Sequence, residues 1–269
     1  MVKISVVTVG MNHRKYLEAL YHSLYIANKP QVSFEAIYVD NCSKDDSVNF
    51  IKNNYPQVKI ITNNKICGFG ENNNRGVMAS QGEYIAIINP DIVCQKDSID
   101  VLYNYLVENP NVGIVAPQLL NPDLSIQYSV RSFMSLKMLF YRLLSKGNDL
   151  SCNTSVSDYL CKNLDFNKTQ PVDWAMGAAL MLSKHNYAKL GGFDQDYFLY
   201  VEDEDLSLRS WKSGMPVIYV PCAKMIHNHL RGSSKLGKKT FMHIKSMCIF
   251  FKKHGFNINS YRSTYNIDR

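Results

Sequence analysis

The strongest constraint on the fold of this chain is its rhythm. Short runs rich in Val and Ile, at 3–9, 34–39, 58–62 and 84–88, alternate with segments of helical length at 13–27, 45–54 and 70–80. Strands of that kind, joined by helical crossovers, specify an α/β fold with a mostly parallel central sheet flanked by helices. Leu17, Leu20 and Leu24 share one face of the first helical segment, as a helix covering a sheet requires. Ser43 and Asp45 are suited to start the second. After Asp91 the pattern gives a helix over 96–108 and a strand over 112–116, then weakens. Residues 125–130 read as a strand, 136–144 as a helix, and 147–170 as a polar insertion of the kind that forms binding loops or lids. A second patterned region, 172–229, closes with a strand pair at 216–220 and 224–227.

With 269 residues and no Pro-, Gly- or Ser-rich linker, the chain is expected to form one substantial core with an appended C-terminal segment. Its net charge of +7 and pI near 8.9 favour anionic partners: a nucleotide diphosphate, an anionic membrane surface or nucleic acid. Lysines concentrate near the C-terminus and no recognised nucleic-acid-binding motif occurs, which argues against the last. Seven cysteines without a C-x-x-C pair indicate thiols in a reducing compartment rather than disulfides, and disfavour zinc. The first apolar stretch is short and β-branched, a buried strand rather than a signal peptide. No run of roughly 18 apolar residues is present, so a soluble or peripheral protein is expected.

Chemistry concentrates where strands end. In an open parallel sheet, ligands lie beyond the carboxyl ends of the strands. Thr8, Asp40-Asn41 and Asn89-Pro90-Asp91 occupy such ends. Asp40 could accept hydrogen bonds from a base or ribose; equally, it could cap the helix that follows. Asp91 offers a hard oxygen to Mg²⁺ or Mn²⁺, presented by a turn that Pro90 stiffens, although Asn-Pro-Asp is also ordinary turn punctuation. Gly68-Phe69-Gly70 opens a helix with backbone free to approach phosphate or sugar. It is not a dinucleotide fingerprint, because a third glycine is replaced by Asn73 and the segment follows the third strand.

Glu202, Asp203, Glu204 and Asp205 head a helical segment ending near Trp211. A helix dipole favours acids in the first turn, but four in succession repel one another, and repulsion raises carboxyl pKa values towards what a general base needs. The expected division is one base, others orienting an acceptor, the rest paired with Arg209 or solvent. His227 follows a final strand and could complete a cation's shell, while Arg231 could grip a diphosphate.

Together these pieces resemble the family 2 glycosyltransferases of the GT-A fold, and within them the rhamnosyltransferase-like branch of bacterial surface polysaccharide synthesis. The resemblance rests on Val6-Val7-Thr8, Val39-Asp40-Asn41-Cys42-Ser43, Gly68-Phe69-Gly70 with Asn72-Asn73-Asn74, and Asn89-Pro90-Asp91. It continues through Ser129-Val130-Arg131, Val172-Asp173-Trp174-Ala175-Met176-Gly177-Ala178, Gly192-Phe193-Asp194, Glu202-Asp203-Glu204-Asp205-Leu206 with Arg209, and His227. These occur in the family's order and span residues 1 to about 234, where many members have Asp-x-Asp in place of Asn89-Pro90-Asp91.

The resemblance implies a GT-A domain over 1–234 with a Rossmann-like sheet, a nucleotide-binding half to about 118 and an acceptor-binding half from about 119. It implies inverting transfer from a nucleotide-diphosphate sugar, with dTDP-L-rhamnose as donor, to a lipid-linked saccharide on polyprenyl diphosphate. Thr8 and Asp40 would contact the nucleoside, with Gly68, Asn89, Asp91 and Arg231 completing the nucleotide-sugar site. Asp91 and His227 would hold Mg²⁺ or Mn²⁺, Asp203 would be the base, and Trp174, Gly177, Glu202 and Asp205 would face the acceptor. A cytoplasmic location, peripheral on the inner face of the membrane, follows from the same resemblance.

Residues 235–269 interleave lysines with Phe241, Ile244, Met247, Phe250 and Phe251. A basic amphipathic helix could lie on an anionic leaflet, or its apolar face could dock on the domain. Two other function classes are weaker. A nucleotidyltransferase would show a basic Gly-rich loop at the first strand, of which Val9-Gly10-Met11-Asn12-His13-Arg14 is a poor version, and a nucleic-acid-binding protein is disfavoured by the C-terminal placement of the lysines and the lack of a recognised binding motif.

Overall fold

A computed structural model describes residues 1–144, 153–228 and 237–265. The first half alternates as the sequence predicts: β1 (Ile4–Gly10), α1 (Arg14–His22) running into a π-helical turn (Ser23–Ala27), β2 (Phe34–Asp40), α2 (Ser47–Asn54), β3 (Lys59–Thr62), α3 (Phe69–Met78) and β4 (Tyr84–Ile88). There follow β5 (Ile92–Cys94), α4 (Ser98–Glu108), β6 (Ile114–Leu120), β7 (Val130–Arg131), α5 (Leu136–Leu144), α6 (Thr154–Tyr159), β8 (Gln170–Pro171) and β9 (Trp174–Ala175). The chain closes with β10 (Ala179–Ser183), α7 (Lys184–Lys189), α8 (Glu202–Lys212), β11 (Val217–His227) and α9 (Lys238–His254).

The main sheet runs β3-β2-β1-β4-β10-β6-β11-β5, with β8 pairing on β11. β1, β2, β3 and β4 are mutually parallel, as are β6 and β11. Three pieces reverse the direction: β10 runs against β4 and β6, and β5 and β8 run against β11. The reversals matter for position. In β10 it is the N-terminal end, Ala179 opposite Ile88, that reaches the edge where β4 stops.

Strand alternation explains the double core. Ile4, Val6, Ala86, Ile88 and Met181 face one layer with Leu17, Leu20, Leu24, Ile99 and Leu102. Val7, Ile85, Ile87, Leu180 and Leu182 face the other, with Leu206, Leu208, Trp211 and Phe193. A sheet covered on both faces needs apolar residues at successive positions, which is why its strands read as continuous Val/Ile runs. Helix α3 approaches this sheet closely: a Cβ on Gly76 would lie 2.4 Å from Val7 Cγ1.

Four expectations change. Residues 125–130 do not form a strand; Ile126 makes one isolated bridge to Leu120, and the paired residues are Val130 and Arg131, against Trp174 and Ala175. The predicted strand pair at 216–220 and 224–227 is one strand, β11, with a register shift between Val220 and Lys224. Pro221 lies in that interval and Pro117 opposes Val220; neither can donate a ladder hydrogen bond, so the interruption sits where donors are missing. The polar insertion at 147–170 contains α6 in its described part, capped by Asn153, whose side chain accepts from Ser155 and Val156 amides. Part of it, 147–152, lies outside the described residues. Finally, α9 is committed to the domain on one face: Phe250 and Phe251 are buried, Ser246 donates to Leu199 O at 2.9 Å, and His254 reaches Asp205. Its other face leaves Phe241 71% and Ile244 49% exposed. No described helix is long and apolar enough to cross a membrane.

The two faces of α9 make unequal contributions. Phe250→Ala should lower the stability of the domain by about 3–5 kcal/mol, read as a shifted urea midpoint. Phe241→Ala should change it by less than about 0.5 kcal/mol. Equal losses would mean that α9 is not held by its Phe250 face.

Candidate active site

Topology assembles the site. The parallel ladder places Thr8 beside Tyr38 and Gly10 beside Asp40, so Thr8 and Asp40 share one face at the carboxyl edge. Both are nearly inaccessible, 1% and 5% exposed. Asp40 Oδ2 accepts from the Ser43 amide at 3.1 Å, the turn role foreseen for it, yet Asp40 Oδ1 and Thr8 Oγ1 are buried without a protein partner. Buried polar atoms without partners are rare in folded proteins and point to a missing polar ligand. Asn41 is spent internally, bridging to the Cys67 amide and carbonyl.

Asp91 and His227 meet because β5 pairs with β11: Ile92 sits opposite His227, and the Asn228 amide donates to Asp91 O at 2.9 Å. Asp91 Oδ1 lies 3.5 Å from His227 Nε2, with His227 only 2% exposed. On its far side, His227 Nδ1 is 2.7 Å from Gln127 Oε1. Gln127 Oε1 can only accept, so Nδ1 carries the proton, and in the neutral ring the Nε2 lone pair faces the carboxylate. A proton on Nε2 or a cation between the two groups would each satisfy this arrangement. The pair therefore fits a divalent metal as a two-donor site, whose remaining ligands would come from diphosphate and water. Among the described residues no group of three or more His, Cys, Asp or Glu side chains is arranged to hold a metal ion.

The acid turn is connected to the Asn89 segment through the backbone before β10. Asn89 N–H donates to Ala178 O at 2.8 Å, and the neighbouring Gly177 N–H donates to Asp203 Oδ2 at 2.8 Å. Two adjacent residues, Gly177 and Ala178, thus link the Asn-Pro-Asp turn to the first turn of α8. Gly177 is required by closeness: a Cβ there would stand 3.3 Å from Asp203 Cβ and 3.5 Å from the Phe69 ring. Tyr200 and Val201, with φ of 69° and 73°, turn the chain into α8 through a left-handed conformation that a β-branched residue rarely adopts. Gly68, at the start of α3, is packed rather than open: a Cβ would meet Phe198 O at 2.8 Å, and Phe69 N–H donates to the same oxygen. The α3 start and the strained turn before α8 are therefore locked together.

The four acids have different fates. Asp205 is saturated by Arg209 (2.7 Å), His254 (2.7 Å) and Tyr197 (3.3 Å) and is 1% exposed, so it anchors helices and offers nothing to an acceptor. Glu204 is buried, accepting from the Met134 amide at 2.6 Å, and burial pushes its carboxyl well above the usual range. Glu202 is buried with Oε2 unpartnered, and is likewise raised, first by burial and then by Asp203. Asp203 keeps partial solvent access; burial raises it, while the amides of Gly177 and Glu204 and the charge of Arg131 pull it back. Burial, more than the expected mutual repulsion, is what lifts these groups.

Trp174 is a buried platform, 5% exposed, with its indole N–H donated to Ser132 O at 2.8 Å. Over it lies the guanidinium of Arg131, 5.5 Å from the Trp174 ring and 5.4 Å from that of Tyr159. Sequence reasoning used Arg131 only as part of a motif; its role depends on the short β7·β9 pairing, which no periodicity announces. Arg231 lies outside the described residues.

Residues 5–164 match the family described as Glycosyl transferase family 2. The chain belongs to that family. Residues 158–232 also match the description "N-terminal domain of galactosyltransferase". Curated relatives of this family 2 chain include an N-acetylglucosaminyl-diphospho-decaprenol L-rhamnosyltransferase of Mycobacterium tuberculosis, 29% identical over 86% of this chain and 78% of that protein. The rhamnosyltransferase WbbL of Escherichia coli is 28% identical over 90% of each. Among solved structures, GalNAc-T7 with UDP, GalNAc and Mn²⁺ aligns with 94% of this chain at a TM-score of 0.69 and 15% identity, the chain spanning 48% of that protein. A mannosyltransferase of Pyrobaculum calidifontis with GDP-Man and Mn²⁺ aligns at 0.60 and 15% identity over 97% of this chain and 67% of its own. At such identities the structural likeness speaks for the GT-A fold, and family membership makes this chain a glycosyltransferase.

Raised buried carboxyls set the pH response of stability. For Glu204 the folded form holds its proton to higher pH than the unfolded chain does, so stability falls as pH rises from the ordinary glutamate range towards the raised value. Glu204→Gln keeps an acceptor for Met134 and removes that penalty. Its Tm relative to the parent should therefore be unchanged near pH 4 and increasingly higher towards pH 8, about 1.4 kcal/mol for each unit by which the pKa is raised. A Tm difference that does not vary with pH would show that Glu204 is not held in its neutral form.

Proposed function

We propose that this protein is an inverting glycosyltransferase that moves a sugar from a nucleotide diphosphate to a hydroxyl of a lipid-linked saccharide, with Asp203 as base. The observation that carries the reading is the adjacency of Gly177 and Ala178, whose N–H and carbonyl respectively tie Asp203 and the turn bearing Asp91 through hydrogen bonds of 2.8 Å. A base and a leaving-group anchor must sit on either side of one anomeric carbon, and this backbone connection between their segments supports the reading.

The nucleoside would lie over β1 and β2, where Thr8 Oγ1 and Asp40 Oδ1 await partners, with Asn89 beside the sugar phosphate and Arg231 supplying a further cation. Asp91 and His227 would hold Mg²⁺ or Mn²⁺, which neutralises charge on the departing diphosphate when bound. Asp203 accepts the proton of the attacking hydroxyl, and that oxygen bonds the anomeric carbon as the carbon–oxygen bond to the diphosphate breaks on the opposite face. Gly177 keeps the base's approach clear, and Glu202, neutral through burial, can donate a hydrogen bond towards the acceptor.

L-Rhamnose is the donor sugar favoured by the curated relatives, and decaprenyl diphosphate in the name of one of them supports a polyprenyl-linked acceptor. A UDP- or GDP-hexose is the second reading, favoured by the nucleotides and Mn²⁺ in the titles of the structural neighbours. The exposed Phe241 and Ile244, set among the lysines of α9, support peripheral contact with an anionic leaflet on the cytoplasmic side. Of the two halves suggested by the motifs, 1–118 would bind the nucleotide and 119–234 the acceptor.

Incubation with a panel of nucleotide sugars, a polyprenyl-diphosphate N-acetylglucosamine and Mn²⁺ or Mg²⁺, with product mass as readout, identifies the donor. Asp203→Asn should bind the nucleotide sugar normally and lose about a hundredfold or more in turnover. Asp91→Ala should instead weaken binding of the nucleotide sugar in the presence of metal, measured by calorimetry. Undiminished turnover by Asp203→Asn would remove that residue from the base role.

A further inference from the structure

We propose that α9 is an interfacial switch: its outer face seats on an anionic phospholipid leaflet, and its inner face passes that seating to the turn that carries Asp203. This deepens the reading of the chain as a transferase acting on a lipid-linked acceptor, and rests on it. Helical phase separates the two faces. His243, Ser246 and Phe250, at i, i+3 and i+7, meet the domain, whereas Phe241, Lys245, Cys248 and Lys252, at i, i+4, i+7 and i+11, are exposed. The inner face grips the entrance to α8 at two successive residues. Ser246 is 2% exposed and its hydroxyl donates to Leu199 O at 2.9 Å, and the His243 ring lies 4.9 Å from that of Tyr200. Tyr200 and Val201 are the left-handed pair, with φ of 69° and 73°, and Asp203 stands two residues beyond. Backbone held in that region persists only where its surroundings fix it, and α9 supplies two of the contacts that do so.

The chemistry of the outer face selects its partner. From Lys238 to His254 the helix has no acid, and Lys238, Lys239, Lys245 and Lys252 are exposed beside Phe241 and Ile244. Lys253 differs, being held by Asp194 and Asp196. The centre of a protein–protein interface is depleted in lysine, whereas an anionic leaflet gains roughly fivefold in affinity from each one near its surface, and the two apolar side chains can enter the headgroup boundary. The outer residues lie within one helical turn of Ser246 and His243, so a force on Phe241, Ile244 or Lys245 is felt at Leu199 and Tyr200. A base turn that is set at the leaflet, where lipid-linked acceptors reside, keeps the donor from reacting with water elsewhere.

The test uses the full chain with vesicles of phosphatidylglycerol and phosphatidylcholine, against phosphatidylcholine alone. Cosedimentation should show binding to the anionic vesicles, and amide hydrogen exchange over residues 199–205 should slow about tenfold on binding. Replacing Phe241 and Ile244 together by Ser should lower vesicle affinity about tenfold or more and abolish the slowing at matched lipid. Ser246→Ala should bind vesicles as the parent does yet lose most of the protection at 199–205, which a merely structural serine would not do. With a short-chain, water-soluble acceptor and the donor that the nucleotide-sugar panel identifies, anionic vesicles should raise kcat of the parent and not of Ser246→Ala. Binding no tighter to anionic than to neutral vesicles, or binding that leaves exchange at 199–205 unchanged, overturns the proposal. The double Ser variant changes only exposed side chains and carries the test should Ser246→Ala lower Tm. Failure of the transferase reading is distinguishable, because binding and exchange are read without any sugar donor.

Discussion

The pair of adjacent residues Gly177 and Ala178 is the constraint on which the arrangement depends. The Gly177 N–H holds Asp203 and the Ala178 carbonyl, two peptide units further on, holds the backbone of Asn89, so two segments more than a hundred residues apart in sequence are tied through one short stretch of backbone. Nothing softer would serve. Side chains that position reacting groups must be held within a fraction of an ångström, and a backbone amide has fewer degrees of freedom than any side chain. The same economy explains Gly177, since a Cβ would crowd Asp203, and the left-handed turn at Tyr200 and Val201, whose strain aims α8 at that peptide. Such strain persists only where surrounding contacts overdetermine it, and Phe198 O, bonded by Phe69 and packed on Gly68, supplies one of them.

The acid turn shows how burial sorts similar groups. All four carboxyls sit where the helix dipole favours negative charge, which is worth only about 0.3–1 kcal/mol at a helix end. Desolvation of a buried carboxylate is several times larger unless it is paired. Pairing therefore decides: Asp205 has Arg209 and His254 as partners, Glu204 one amide, Glu202 an oxygen with no partner, and Asp203 two amides with partial access to solvent. Of the four, Asp203 combines a raised proton affinity with partial access to solvent.

Much of this architecture was legible. β1 to β4 and the helices between them were readable because strands buried on both faces give continuous Val/Ile runs, and Leu17, Leu20 and Leu24 are all fully buried. The strands that escaped, β5, β8, β9 and β10, are short or follow polar turns, and Ala179-Leu180-Met181-Leu182 has the composition of a helix as much as of a strand. Their reversal of direction is a tertiary fact with no local signature, yet it brings Ala178 to Asn89 and His227 to Asp91. Asp91 and His227 could be named from sequence as donors. That they face each other at 3.5 Å, with Gln127 fixing the tautomer, depends on contacts 100 and more residues apart. Asp205 and Trp174 were assigned to an acceptor from motif order alone, and burial gives them other work.

The C-terminal helix completes that sorting. Lys253 reaches Asp194 and Asp196, and the following turn gives the Ser260 hydroxyl and the amides of Tyr261 and Arg262 to Asp173 Oδ1. Exposed pairs like those of Lys253 are worth little, typically below about 1 kcal/mol, so they orient α9 more than they hold it. The buried ring of Phe250 and the stacking of Tyr261 on Trp211 at 5.9 Å supply the adhesion. By docking there, α9 delivers His254 to Asp205 and the tail brings three donors to Asp173, so the C-terminal segment fixes two buried carboxylates, one in the first turn of α8 and one just before β9.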